Sequence, residues 1–116
     1  MKIGVSGTRD FNDYNIFLRA MRVALSGFED GDTELVVYAA GPAKVNSFVT
    51  EFTNITENSF KSRGIKTKVY RVTNDEFKNQ LPDIDFYAYL CTPGEDKNHL
   101  VKHAEEFDIE VRMFRF

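Results

Sequence analysis

Five short apolar runs, separated by stretches of helical spacing, constrain this chain more than any other feature. The runs are Lys2–Ser6, Glu34–Ala40, Lys66–Val72, Asp85–Cys91 and a last segment through Ile109, Val111 and Met113. Parallel strands need crossover connections of a dozen or more residues, usually helical. Apolar runs alternating with amphipathic stretches of that length therefore specify an α/β domain with a mostly parallel sheet. ELVVYAA and DFYAYLC are apolar nearly throughout, as strands covered on both faces are. The Lys66–Val72 run carries lysines and reads as an edge strand. The last run sets Ile109, Val111 and Met113 against Glu110 and Arg112, the alternation of a half-exposed strand.

The intervening stretches read as helices. Asp13 can cap the first, whose apolar face is Ile16, Ala20, Val23 and Ala24, and Gly27 with the EDGD run ends it. GPA opens a long helix from about Ala43 to Arg63, with a core stripe of Val45, Phe48, Val49, Phe52, Ile55 and Phe60. Gly64 suits its C-cap, and such a helix runs roughly 30 Å. A polar stretch with Asn74, Asp75 and Glu76 leads to Pro82 through a single helical turn. A further helix from about Asp96 carries Leu100, Val101, Ala104 and Phe107. The predicted order is β-α-β-α-β-β-α-β. Right-handed crossovers then give a five-stranded sheet of order 3-2-1-4-5 in a three-layer domain spanning residues 1–116, with the first strand central.

Composition bounds the function classes. At 116 residues the chain is one domain with room for a real core. A hydrophobic share of 42% with 28% charged residues is ordinary globular chemistry, and eleven Phe and five Tyr without Trp make the core aromatic. The net charge of −3 argues against non-specific nucleic-acid binding, which needs a clustered basic surface, while leaving room for a local anion site. A single cysteine, Cys91, fits a reducing compartment. No apolar run approaches the ~18–20 residues that span a bilayer, so no membrane partner is expected. The single Lys before the first strand is not a signal-peptide pattern. A cytoplasmic protein is the expectation.

In the predicted sheet three strand-to-helix turns meet at one crevice, where open parallel sheets bind ligands. The first is SGTRD. Gly7 lets the backbone approach a ligand, Thr8 and Arg9 can donate to phosphate oxygens, and Asp10 can accept from ribose hydroxyls or orient Arg9. The second is AAGPAKVN. Gly41 and Pro42 lead into a helix N-terminus with room for a phosphate beside Lys44, and Asn46 can address a base or sugar. The third is CTPGEDKN, where Thr92, Pro93, Gly94, Lys97 and Asn98 can close the crevice. Glu95 and Asp96 oppose an anion there unless Asp96 caps the helix. Each turn also has a plain structural reading: a solvated connection with an Arg–Asp surface pair, a tight strand-to-helix joint, and a capped helix start.

Together the turns resemble the SLOG superfamily of Rossmann-like domains, which includes the LOG phosphoribohydrolases, the Smf/DprA proteins and small stand-alone phage and bacterial members. GTRDF, from Gly7 to Phe11, matches the Gly-Ser/Thr-Arg-Asp-Phe turn of the small members. AAGPAKVN stands where they carry Ser-Gly-Gly-Ala-Arg-Gly-Ala-Asp. It keeps Gly41 but has Ala43 for Arg, Lys44 for Gly and Asn46 for Asp. Asp85 through Asn98 corresponds to their third strand, turn and helix. The LOG signature Pro-Gly-Gly-x-Gly-Thr-x-x-Glu is reduced to Pro93 and Gly94, with Val101 in place of the glutamate. The resemblance thus implies binding of a nucleotide or ADP-ribose-like molecule ahead of hydrolysis. It also implies a homo-oligomer and a role in sensing or sequestering a nucleotide signal in phage–host conflict, in the host cytoplasm for a phage protein. No cofactor beyond a nucleotide-type ligand is assigned.

Two other functions stay open on the residues. A nucleotide hydrolase of the phosphoribohydrolase or N-glycosidase type would draw its acid–base group from Asp10, Glu95 or Asp96. A protein-interaction module would keep the scaffold and lose the ligand. His99 and His103 have metal-compatible i, i+4 spacing but no third ligand near them in sequence. Cys91 reads as a buried small hydrophobe rather than a nucleophile, and Arg19 and Arg22 as an exposed helix face.

Overall fold

The central strand β1 (Lys2–Gly7) pairs in parallel with β2 (Glu34–Ala39) on one side and with β4 (Phe86–Cys91) on the other. β3 (Lys66–Arg71) extends the sheet beyond β2 and β5 (Glu110–Arg115) beyond β4. The order is β3-β2-β1-β4-β5 with every pair parallel, a Rossmann-like α/β arrangement as the apolar pattern predicts. The computed structural model describes residues 1–29, 31–92 and 99–115.

Alternation along the strands builds a core on each side of the sheet. Ile3 and Val5 of β1, Leu35, Val37 and Ala39 of β2, and Phe86, Ala88 and Leu90 of β4 face α1 (Tyr14–Leu25) and α2 (Ala43–Ser62). Tyr87, Tyr89 and Cys91 of β4 face α3 (Asn74–Gln80), a 3-10 turn at Leu81–Asp83, and α4 (His99–Glu105). The two layers of helices match the sense of right-handed crossovers on either side of β1. Asp85 sets the β1–β4 register, since its carboxylate accepts from the Lys2 N–H at 2.8 Å and its own N–H donates to the Lys2 carbonyl at 2.8 Å.

Several sequence expectations are corrected. The buried face of α1 is Phe17, Ala20, Met21 and Ala24, rotated from the predicted face because the larger Phe17 reaches Phe48 and Phe52 of α2. Ile16 and Val23 are only partly buried against this core. Ile55 is 67% exposed and lines a surface groove, outside the core stripe of α2, whereas Phe52 and Phe60 are partly buried against the core. Phe107 lies beyond the end of α4 and is 43% exposed, its ring against His103 at 5.2 Å. The single turn expected before Pro82 is a full helix, α3, started by a capping box in which Thr73 and Glu76 accept from each other's N–H groups. The order is therefore β-α-β-α-β-α-β-α-β.

α3 is held on the sheet by Phe77, which is fully buried and lies over Gly4 of β1. A Cβ at Gly4 would stand 2.6 Å from Phe77 Cζ, and the ring is packed edge-on to Tyr87 at 4.9 Å, so it has nowhere to yield. Gly4→Ala is predicted to destabilise the fold by about 1–3 kcal/mol, read as a lower urea midpoint with the same slope. An unchanged midpoint would mean that Phe77 does not rest on β1.

Candidate functional site

The carboxyl edge of the sheet is assembled from main-chain hydrogen bonds that run outward from the end of β1. The Gly7 N–H donates to the Gly41 carbonyl at 3.1 Å, and the Thr8 N–H donates to the Leu90 carbonyl at 2.8 Å. The Thr8 hydroxyl in turn accepts the Thr92 N–H at 3.3 Å. The turns after β1, β2 and β4 are thereby brought together, at the point where strand order reverses between β1 and β4. Pro93, Gly94, Glu95, Asp96, Lys97 and Asn98, expected to close this edge, lie outside the described residues.

Gly7 is glycine for packing on its neighbours. A Cβ there would stand 2.5 Å from the Leu90 carbonyl oxygen and 3.2 Å from Val45. Beyond it the chain makes a tight turn in which the Phe11 N–H donates to the Thr8 carbonyl at 3.2 Å. Thr8 and Phe11 are buried at the two ends of this turn, while Arg9 and Asp10 at its corner are exposed. Phe11 packs edge-on against Phe48 at 6.5 Å, within a cluster where Tyr14 and Phe17 also contact Phe48 at 5.2 and 5.7 Å. Asp13 then caps α1 by accepting the Ile16 N–H at 3.1 Å. The turn is thus anchored on both sides, and Arg9 is held outward at the sheet edge. Among the described residues no ion pair joins Arg9 to Asp10 or to any other carboxylate.

In the second turn Gly41 takes φ +87°, a region that favours glycine, and precedes a cis peptide to Pro42. Asn46 folds back so that its side-chain oxygen accepts the Gly41 N–H at 2.9 Å. Pro42 is the N-cap of α2 and supplies no side-chain acceptor. The first intrahelical bond is Asn46 N–H to the Pro42 carbonyl at 3.0 Å, which leaves the N–H groups of Ala43, Lys44 and Val45 without a helical partner. Lys44 is exposed and its ammonium rests over the Phe48 ring at 5.5 Å from the centroid, on the side of α2 that carries the first turn's anchor. Gly7, Thr8 and Asn46 are therefore parts of the frame, while Arg9, Asp10, Lys44 and the start of α2 present donors and acceptors to solvent. An open groove of about 580 Å³ continues from Ala43 and Asn46 along α2 past Ser47, Thr50 and Asn54, with Arg71 of β3 on its rim. Sequence reading missed Arg71. Its signal is positional, since it is the last residue of a parallel strand and so stands at the ligand edge.

Beneath the site, the hydroxyls of Ser6 and Tyr87 are hydrogen-bonded to each other, both side chains being buried. Burial pushes the Tyr87 phenol far above its ordinary value; the bond to Ser6 offsets part of this and Tyr89 adds to it. Tyr14 is raised as well, by burial and then by the Glu51 carboxylate. His103 pairs with Glu106 at 3.5 Å, and among the described residues no group of three or more His, Cys, Asp or Glu is placed to hold a metal. Cys91 is buried as expected, and Arg19 and Arg22 are exposed on α1.

Compared with known proteins, the chain matches no family model, no curated protein and no solved structure. The class its fold defines is the Rossmann-like α/β domain, and no helix among the described residues is long and apolar enough to cross a membrane.

The raised Tyr87 value sets an alkaline limit on stability. The unfolded phenol ionises near pH 10, whereas the native one keeps its proton. Above that pH the unfolded state binds fewer protons than the native state, so stability falls with rising pH toward the native value; below about pH 9 both states hold the proton and the contribution is complete. Urea midpoints are predicted to drop between about pH 9.5 and 11. Tyr87→Phe should flatten that drop, with Tyr14 retaining part of it. An unaltered pH slope in the variant would contradict the assignment to Tyr87.

Proposed function

We propose that this chain binds a nucleotide or an ADP-ribose-like nucleotide derivative at the carboxyl edge of its sheet. The observation that carries the proposal is the uncapped N-terminus of α2 beside a turn that holds Arg9 outward with no carboxylate partner among the described residues. Unpaired N–H groups and the helix dipole favour an anion at that terminus. Arg9 adds a planar, permanently charged fork suited to phosphate oxygens. In this reading phosphate sits between the α2 N-terminus and Arg9, with Lys44 close by, and Asp10 accepts from ribose hydroxyls. The GTRDF turn shared with SLOG-like proteins supports the same assignment.

The SLOG resemblance supports binding ahead of turnover. Val101, at the position where LOG enzymes carry their glutamate, is fully buried in the cluster between α4 and the sheet. The biological role that goes with this reading is sensing or sequestering a nucleotide signal in conflict between phage and host.

Isothermal titration with AMP and with ADP-ribose tests the proposal. Arg9→Ala is predicted to weaken binding at least about tenfold, the loss expected for a charge-assisted contact. The thermal midpoint of the ligand-free protein should barely move, since Arg9 is exposed. Chromatography after prolonged incubation should return the ligand intact; accumulating products would put the hydrolase reading first. Absence of binding to AMP, ADP-ribose and NAD would overturn the proposal.

A further inference from the structure

Arg71 closes β3 opposite Ala39 of β2, at the same sheet edge as the turns described above. Its guanidinium donates from Nη2 to the Thr50 hydroxyl at 2.8 Å. That hydroxyl donates to the Asn46 carbonyl at 3.1 Å, and the Asn46 side chain holds the Gly41 N–H. A hydrogen-bonded chain therefore runs from Arg71 across α2 to the turn that starts it. Thr50 fixes the guanidinium through a neutral partner, so the positive charge is oriented without being neutralised. Among the described residues no carboxylate pairs with Arg71, and a guanidinium has five N–H donors.

The groove along α2 joins this cation to the proposed phosphate position. It begins at Ala43 and Asn46 and passes Thr50, and Thr50 stands seven residues beyond Ala43, which is about 10 Å along a helix. Glu51 lines the same groove and opposes an anion there, which leaves Arg71 as the one cation among its lining residues to receive a second negative group. Ser47 and Asn54 add neutral hydrogen-bonding groups to its lining.

We infer that Arg71 receives a second anionic group of the bound molecule, making the site selective for nucleotides with two separated phosphate groups over those lacking the second. This inference rests on the nucleotide-binding reading above. Arg71 is a specificity residue in this scheme, and Thr50 is the residue that positions it.

The test compares ADP-ribose with ADP-ribose 2′-phosphate by isothermal titration on the wild type, Arg71→Met and Arg71→Lys. The wild type is expected to bind the 2′-phosphate at least about tenfold more tightly. Arg71→Met should erase that preference while leaving ADP-ribose affinity within about twofold of wild type, which also reports an intact fold. Arg71→Lys should retain part of the preference, because it keeps charge and loses the fork. Equal wild-type affinity for the two probes, or a parallel loss of both in Arg71→Met, overturns the role of Arg71 and leaves nucleotide binding standing. Failure of the wild type to bind either probe overturns both.

Discussion

Two backbone N–H groups at the end of β1 hold the carboxyl edge together. Gly7 donates across to Gly41 and Thr8 donates across to Leu90, so the turns on both sides of the central strand are tied to one short segment. Side-chain bonds then extend the frame, from Thr8 to Thr92 and from Asn46 to Gly41. The edge is a continuous network rather than three independent loops. Among the described residues, Arg9, Asp10, Lys44 and Arg71 remain exposed at this edge, beside the N–H groups at the start of α2. A ligand site needs such groups held by a rigid support, since precision comes from what surrounds the contacting residues.

The layers behind the edge serve the same end. One aromatic cluster, of Phe11, Tyr14, Phe17, Phe48 and Phe52, packs α1 against α2 and anchors the turn that carries Arg9. On the other side of the sheet, Phe77 packs α3 over Gly4 and against Tyr87, and the Ser6–Tyr87 bond ties β1 to β4. Each core therefore fixes one flank of the crevice.

The sheet was legible from sequence because its information is periodic. Strand positions and the order 3-2-1-4-5 follow from apolar runs and crossover handedness, without a single side-chain contact being known. α3 was not legible as a helix by hydrophobic spacing, since only Phe77 is buried in its seven residues; its signal was the Thr73–Glu76 capping pair. Ile55 and Phe107 have core chemistry, and only the reach of the neighbouring elements decides that they stay exposed. At the carboxyl edge, sequence placed Arg9 and Asp10 in the turn after β1 but could not separate solvent-facing groups from supporting ones. Thr8 and Asn46 have the chemistry of either, and their bonds to Thr92 and Gly41 depend on pairings between distant strands.

The central position of β1 has a consequence for how the fold is reached. One of its edges pairs with β2 from the same half of the chain, whereas the other waits for β4, with Lys2 and Asp85 lying 83 residues apart. The β1–β4 contact closes the longer loop and bears the larger chain-entropy cost. Until it forms, β1 presents an unpaired edge, and Leu90 and Thr92 are absent from the network that sets Thr8 in place. The crevice is thus completed by one of the least local pairings in the molecule, and contacts of that range slow folding more than local ones do. Assembly of the edge that carries the proposed site coincides with closure of the sheet.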